Sequence, residues 1–224
     1  MSVSTASKTD KDIQDRVEKE LDWTRQVEDS ANIGVAVDEG VVALSGEVRT
    51  YSQKVAAAKA ALRTRGVTAV ANDIVVRYTG RKATDAEIAE AASNVLALNV
   101  TVPKGSVKIE VRDAVVTLSG VVDWDYQRRA AKRAIEEMPN VEGVFNQISL
   151  KPRVSATETE SMVRRAILRN ASLDANTISV NAVGNKVILH GNVASYAEKK
   201  QAGLAAWSSP HVTEVDNKIK MRTP

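Results

Sequence analysis

The chain contains no cysteine. That excludes disulfides, thiolate-ligated zinc and a thiol nucleophile, and it leaves the redox compartment open. Histidine is nearly as scarce, with only His190 and His211. They fall in different elements, with no carboxylate at a recurring ligand spacing, so a metal centre or histidine general base has little to be built from. Aromatic residues are 4% of the total, which leaves Val, Ile, Leu and Ala to build any core. No run of about 18 apolar residues occurs, so no helix is long enough in sequence to span a bilayer. Residues 1–10 have no basic segment followed by an apolar one, as a secretory signal would. The expected location is the cytoplasm, or the periplasm if the numbering starts after a removed signal. Phosphate-loop and dinucleotide fingerprints are absent. Ser45 and Ser119 precede glycines, but in a Leu-Ser-Gly setting that is not the nucleophile elbow. No enzyme, no cofactor and no metal are expected.

What the 224 residues do contain is one stretch written three times. Val42-Ala43-Leu44-Ser45-Gly46-Glu47-Val48 returns as Val116-Thr117-Leu118-Ser119-Gly120-Val121-Val122 and as Val187-Ile188-Leu189-His190-Gly191-Asn192-Val193. With the glycines superposed, Ile33, Val107 and Ile178 coincide upstream. Asn72, Asn146 and Asn217 coincide downstream, followed by Ile74, Ile148 and Ile219. No gap is needed in that window. The glycines lie 74 and 71 residues apart, so each copy has the size of a small domain. The boundaries read from this frame are 8–79, 83–150 and 154–224, joined by the basic linkers Gly80-Arg81-Lys82 and Lys151-Pro152-Arg153.

Each copy opens with a helical spacing: Ile13, Val17 and Leu21; Ile88, Ala92, Val95 and Leu96; Val163, Ala166 and Ile167. Thr84-Asp85-Ala86-Glu87 and Thr157-Glu158-Thr159-Glu160 have the spacing of a capping box. Alternating strands follow, Ile33 to Val37, Val107 to Val111 and Ile178 to Ala182. Turns at Asp38-Glu39-Gly40, Arg112-Asp113-Ala114 and Gly184-Asn185-Lys186 make each pair a hairpin. A second helix has a small apolar face: Ala57, Ala60 and Ala61; Ala131, Ala134 and Ile135; Ala202, Ala205 and Ala206. The last strand is expected over Val67 to Val76, Val141 to Leu150 and Val212 to Met221. The fold class predicted is α+β, three tandem αββαβ modules, each a small three-stranded mixed sheet with two helices on one face. Gly46, Gly120 and Gly191 are read as packing glycines that let the alanine-faced second helix close onto the sheet.

This pattern resembles the BON domain. The motifs carrying the resemblance are Leu44 to Val48 with Val67 to Ile74, Leu118 to Val122 with Val141 to Ile148, and Leu189 to Val193 with Val212 to Ile219. The resemblance implies a protein of bacterial osmotic-stress or envelope physiology that binds phospholipid membranes or envelope proteins without catalysis. The runner-up reading is a protein-interaction or chaperone-like scaffold that uses exposed sheet edges and binds no lipid.

The binding candidates in the sequence sit at the start of the second helices. They are Tyr51 and Lys54, then Trp124, Tyr126, Arg128 and Arg129, then Tyr196, Lys199 and Lys200. Aromatic rings beside cations suit a membrane interface. The plainer reading makes the rings helix-start staples and the cations a solvated face. By segment the formal charge is −1 for 8–79, −3 for 83–150 and +3 for 154–224, within a total of +3. Attraction to an anionic surface is thus expected from the third copy and the linkers. No concentrated basic stripe favours nucleic acid. Asn72, Asn146 and Asn217 are expected at bulges, turns or strand edges, where asparagine bonds locally.

Overall fold

The computed structural model describes residues 8–28, 30–78, 80–151, 158–170 and 173–221. Module one runs α1 (Lys8–Trp23), β1 (Ile33–Asp38), β2 (Val41–Val48), α2 (Tyr51–Arg63), β3 (Ala69–Asn72) and β4 (Val75–Val76). Module two runs α3 (Asp85–Leu98), β5 (Val107–Arg112), β6 (Val115–Val122), α4 (Asp125–Glu136) and β7 (Gly143–Leu150). Module three runs α5 (Thr159–Leu168), β8 (Ile178–Val183), β9 (Lys186–Val193), α6 (Tyr196–Trp207), β10 (Glu214–Asn217) and β11 (Lys220–Met221). The predicted αββαβ order therefore holds three times. The first two modules make one compact unit; the third, clustered with residues 123–125, makes the other.

In every module the glycine-bearing strand is the middle one. β1 pairs with β2, β5 with β6 and β8 with β9, all antiparallel across two-residue loops. Such loops need positive φ to match strand twist. Glu39 and Gly40 supply 47° and 76°, Asp113 and Ala114 supply 50° and 60°, and Gly184 supplies 62°. The last strand in modules one and three runs parallel to the middle strand, an arrangement that needs a crossover. The second helix is that crossover.

One face of each sheet is covered. In module one Ile13, Val17 and Leu21 of α1 and Ala57, Ala60 and Ala61 of α2 are buried against Val42, Leu44 and Val48. Module three repeats this with Val163 and Ile167, Ala202 and Ala206, and Val187, Leu189 and Val193. In module two the buried set is Ile88, Ala92 and Leu96, Ala131 and Ile135, and Val116, Leu118 and Val122.

Three expectations need correction. First, the last strands are shorter than predicted. Val67, Val141 and Val212 are buried in the connection before the strand, not in it. In modules one and three the strand is also broken, between Asn72 and Val75 and between Asn217 and Lys220, whereas β7 runs unbroken. Second, the residue that precedes α5 is Glu158. The helix begins at Thr159 after Glu158, whose side chain makes no cap bond, and Thr157 lies outside the described residues. The box at Thr84 and Glu87 is present, with both bonds made.

Third, the packing glycines answer to a strand and not to a helix. Gly46, Gly120 and Gly191 have φ of 110°, 130° and 135°. A Cβ at Gly46 would lie 2.0 Å from the carbonyl oxygen of Asn32. At Gly120 it would lie 2.1 Å from that of Ser106, and at Gly191 2.0 Å from that of Thr177. The backbone leading into the neighbouring strand fills the space. Helix closure over these glycines is not what excludes a side chain.

Candidate functional site

Strand direction decides which residues share an end of a module. In module one the hairpin loop Glu39–Gly40 marks one end, and Ile33 beside Gly46 lies toward the other. The start of α1 is fastened at the loop end, where Asp10 Oδ1 accepts the Gly40 N–H at 3.1 Å. The C-terminus of α1, the end of β2 and the first turn of α2 therefore meet at the opposite end. Module two is built alike: Asp85 accepts the N–H groups of Asp113 and Ala114, both at 3.0 Å. Module three keeps the register, with Ile178 beside Gly191.

That end carries exposed apolar side chains that sequence reading missed. Trp23 is 84% exposed, Leu98 83% and Leu168 62%, and Val100 is fully exposed. The signal was available. The buried stripes finish at Leu21, Leu96 and Ile167, and the next large apolar residue falls one or two positions later, off the stripe. Exposed cations stand close by in sequence: Arg25, Lys104 and Arg169. In module two a groove of about 250 Å³ near the end of α3 is lined by Leu96, Val102, Pro103, Val107 and Ile109 together with Ser93 and Lys104.

The sequence candidates occupy the second-helix starts at the same end. Tyr51, Lys54, Tyr196, Lys199, Trp124 and Arg128 are half-buried, and Arg129 and Lys200 are exposed. Tyr126 is 52% exposed and shares a stripe of α4 with Arg129 and Arg133, three and seven residues on. Two caps at these starts were legible but unread. Thr50 Oγ1 accepts the Gln53 N–H at 3.2 Å while Gln53 Oε1 accepts that of Arg49 at 2.9 Å. Ser195 Oγ accepts the Glu198 N–H at 3.2 Å while Glu198 Oε2 accepts that of Ala194 at 3.0 Å. In module two the residue before the helix is Trp124, so an indole stands where the other modules place a capping hydroxyl.

The three asparagines fix these starts. Asn72 Nδ2 donates to the Lys54 carbonyl at 3.1 Å, Asn146 to Arg128 at 2.9 Å and Asn217 to Lys199 at 2.8 Å. Each joins its last strand to the first turn of its second helix. The roles expected at turns and edges are realised together with this longer-range bond.

Nothing in these geometries assembles an acid–base pair. His190 is exposed on β9 and His211 is half-buried after α6. Among the described residues no group of three or more His, Cys, Asp or Glu could hold a metal ion. One cleft in the first unit, of about 390 Å³, is lined by Arg49, Tyr78, Lys82, Asp85, Asp113 and Glu142 among others. Its charged groups are engaged: Lys82 pairs with Glu142 at 3.4 Å, and Asp85 holds the hairpin loop. Glu87, above this cleft's linker, is lowered to about 2 by Arg81, by the Thr84 N–H and by the Thr84 hydroxyl. That is a structural carboxylate in a capping box, not a poised catalytic acid. No helix among the described residues is long and apolar enough to cross a membrane.

Comparison with known proteins agrees with this architecture. The family model for the BON domain matches residues 9–78, 84–152 and 155–223. The osmotically-inducible protein Y of Escherichia coli (strain K12) is 36% identical over 131 residues, covering 54% of this chain and 63% of that protein. The chain thus spans less than two thirds of that relative's length. Among solved structures, CdsD, a structural protein of the type III secretion system of Chlamydia trachomatis, shares 11% identity over 94% of this chain and 92% of its own, with a TM-score of 0.26. The PrgH periplasmic domain shares 10% identity over 85% of this chain and 95% of its own, with a TM-score of 0.24. Scores that low carry no weight for fold or partner.

Proposed function

The chain belongs to the BON domain family, and on that premise we propose that it is a non-enzymatic binding protein of osmotic or envelope stress whose modules contact anionic phospholipid membranes. The observation that carries this reading is the equivalent end of each module taken by itself, where Trp23, then Leu98 and Val100, then Leu168 stand exposed with cations close by in sequence. An apolar side chain left in water gains by entering the acyl boundary, and cations gain by meeting anionic headgroups. Tyr51, Tyr126 and Tyr196 at the second-helix starts suit headgroup depth. The osmotic link rests on the Escherichia coli relative, an osmotically-inducible protein. Each module binds weakly by itself, and tandem linkage supplies avidity.

The test is co-sedimentation with vesicles of mixed phosphatidylglycerol and phosphatidylcholine, against phosphatidylcholine alone, at low salt. Binding to the anionic vesicles is expected, with Trp23→Ala and Leu98→Ala each weakening it about ten-fold, the value of burying one large apolar side chain. No binding at low salt, or unchanged binding in both variants, would sink the lipid reading and leave a protein-interaction scaffold.

A further inference from the structure

We infer that β5 is the seat of a symmetric dimer, in which it pairs antiparallel with β5 of a second copy of the chain. Nothing in this pairing depends on lipid. β5 is an edge strand, with β6 on one side only. Its hairpin loop is two residues long, so Arg112 and Val115 form the closing hydrogen-bonded pair, and the alternation continues at Glu110 and Lys108. The backbone groups of Val107, Ile109 and Val111 therefore point away from β6. Among the described residues, no group outside the sheet bonds them. The elements packed on β5 are α3 and β6, which leave this edge open.

The open face of β5 shows which strand fits. Lys108, Glu110 and Arg112 are exposed there, and none of them forms an ion pair among the described residues. Charges on an edge ordinarily turn other strands away. Here their order selects one. When two β5 strands pair antiparallel about Ile109, Ile109 meets its own copy and Val107 meets Val111. Lys108 then lies opposite Glu110 of the second copy, and Glu110 opposite its Lys108. The outward-pointing groups of Val107, Ile109 and Val111 face one another, which gives about six inter-strand hydrogen bonds. A two-fold axis brings the same patch to itself, so each charge contact is made twice. The neighbouring registers that keep the faces matched are rejected. One sets Lys108 opposite Lys108; the other sets Glu110 opposite Glu110 and Lys108 opposite Arg112.

The first strands of the other modules lack these features. The corresponding outward positions are Gly34 and Ala36 on β1 and Ser179 and Asn181 on β8, so neither strand offers a pair of opposite charges. Ile33 and Ile178 head those strands at 7% and 5% exposure, behind the short helical turns Ser30–Asn32 and Ala175–Thr177. In module two the loop is held instead by Pro103, whose carbonyl accepts the N–H and the hydroxyl of Ser106 at 3.2 and 2.6 Å. Val107 is left half-buried, and the groove near the end of α3 opens between Ser93, Leu96 and Ala97 on one side and Val107 and Ile109 on the other. Ser93 and Ala97, the exposed residues of α3 along it, are short. That leaves room beside β5 for the strand and the α3 helix of the second copy.

The experiment is sedimentation velocity of the full chain at rising concentration. One strand and one helix side make a small interface, under about 1,200 Å², so a weak monomer–dimer equilibrium is expected. Lys108→Glu and Glu110→Lys should each weaken it about ten-fold or more, since symmetry makes every like-charge contact twice. Mixed in equal amounts, these two variants should associate as well as the parent, because each then meets opposite charges on the other. The double variant, Lys108→Glu with Glu110→Lys, exchanges the signs and should also return to the parent's dissociation constant. Ile109→Pro removes an outward N–H and no bond to β6. It should abolish the dimer while thermal unfolding stays near the parent's; should it fail to fold, the charge series decides. A parent that stays monomeric throughout overturns the inference. So does a dimer that Lys108→Glu and Glu110→Lys leave unchanged, one that survives Ile109→Pro, or a mixture no stronger than either variant alone.

Discussion

Asn146 donates from Nδ2 to the carbonyl oxygen of Arg128, 2.9 Å away, and its Oδ1 accepts the N–H of Ile148 at 3.2 Å. One side chain thereby clamps the first turn of α4 to β7. The clamp recurs at Asn72 and Asn217, so it is a property of the repeat. Asn146→Ala removes both bonds and leaves a carbonyl and an amide of a half-buried site short of partners. The expected cost is about 1–3 kcal/mol. Asn146→Asp keeps the acceptor and loses the donor, so it should fall between parent and alanine. Thermal unfolding of the three proteins checks the order; a parent-like melt for the alanine variant would show that the clamp does not stabilise the module.

Gly120 and Gly105 separate two effects that are easily confused. Both have positive φ, 130° and 72°. At Gly105 a Cβ would meet nothing within 4 Å, whereas at Gly120 it would overlap the Ser106 carbonyl. Gly105→Ala should therefore cost only the backbone penalty, about 1–2 kcal/mol. Gly120→Ala must in addition push two hydrogen-bonded strands apart, and its cost should exceed 4 kcal/mol, in the range kept for severe core defects. Amide hydrogen exchange in β5 and β6 reads this directly. Similar protection in the two variants would refute the steric account.

Glu87 gives the chain a defined response to acid. Its carboxyl is lowered from 4.5 to about 2, first by Arg81 and then by Thr84. A group whose folded pKa is depressed stabilises above its unfolded pKa and stops doing so as pH falls through the folded one. The carboxylate's contribution is thus complete above about pH 4.5 and is lost toward pH 2. Glu87→Gln keeps the capping acceptor but loses the charge. Its melting temperature should lie below the parent's at neutral pH and converge with it over that interval. A gap independent of pH would mean that shape, not charge, accounts for the effect. Added salt should also narrow the gap, since the pair with Arg81 is exposed.

The sequence made the fold readable where the physics is local and repeated. Period-two strands, two-residue loops and the box at Thr84 and Glu87 each state their own geometry. Three registered copies turned weak signals into a consistent one. The role of Gly46 was less legible because the atom that crowds it belongs to Asn32, a contact set by pairing register and invisible in a helix-facing pattern. The breaks in the last strands escaped notice because the apolar alternation continues across them, through Val70, Ile74 and Val76 and through Val215, Ile219 and Met221. Exposed Trp23 and Leu98 were passed over because they follow the buried stripe so closely that composition alone counts them as core. The start of α4 could be placed but not weighed, since Trp124 replaces the hydroxyl that marks the other two starts.

The carbonyl seated over Gly46, Gly120 and Gly191 acts as a key that admits one register per hairpin. A slip by a single residue would set a side chain where that oxygen lies. The same key is cut three times, however, so it cannot tell one module's strands from another's. During folding, the first strand of one copy fits the middle strand of the next as well as its own. Correct pairing is then decided by speed: a two-residue loop closes sooner than the path to a neighbouring copy. Lengthening the Glu39–Gly40 loop would slow the right pairing without strengthening it, and strand exchange between copies becomes the failure to expect.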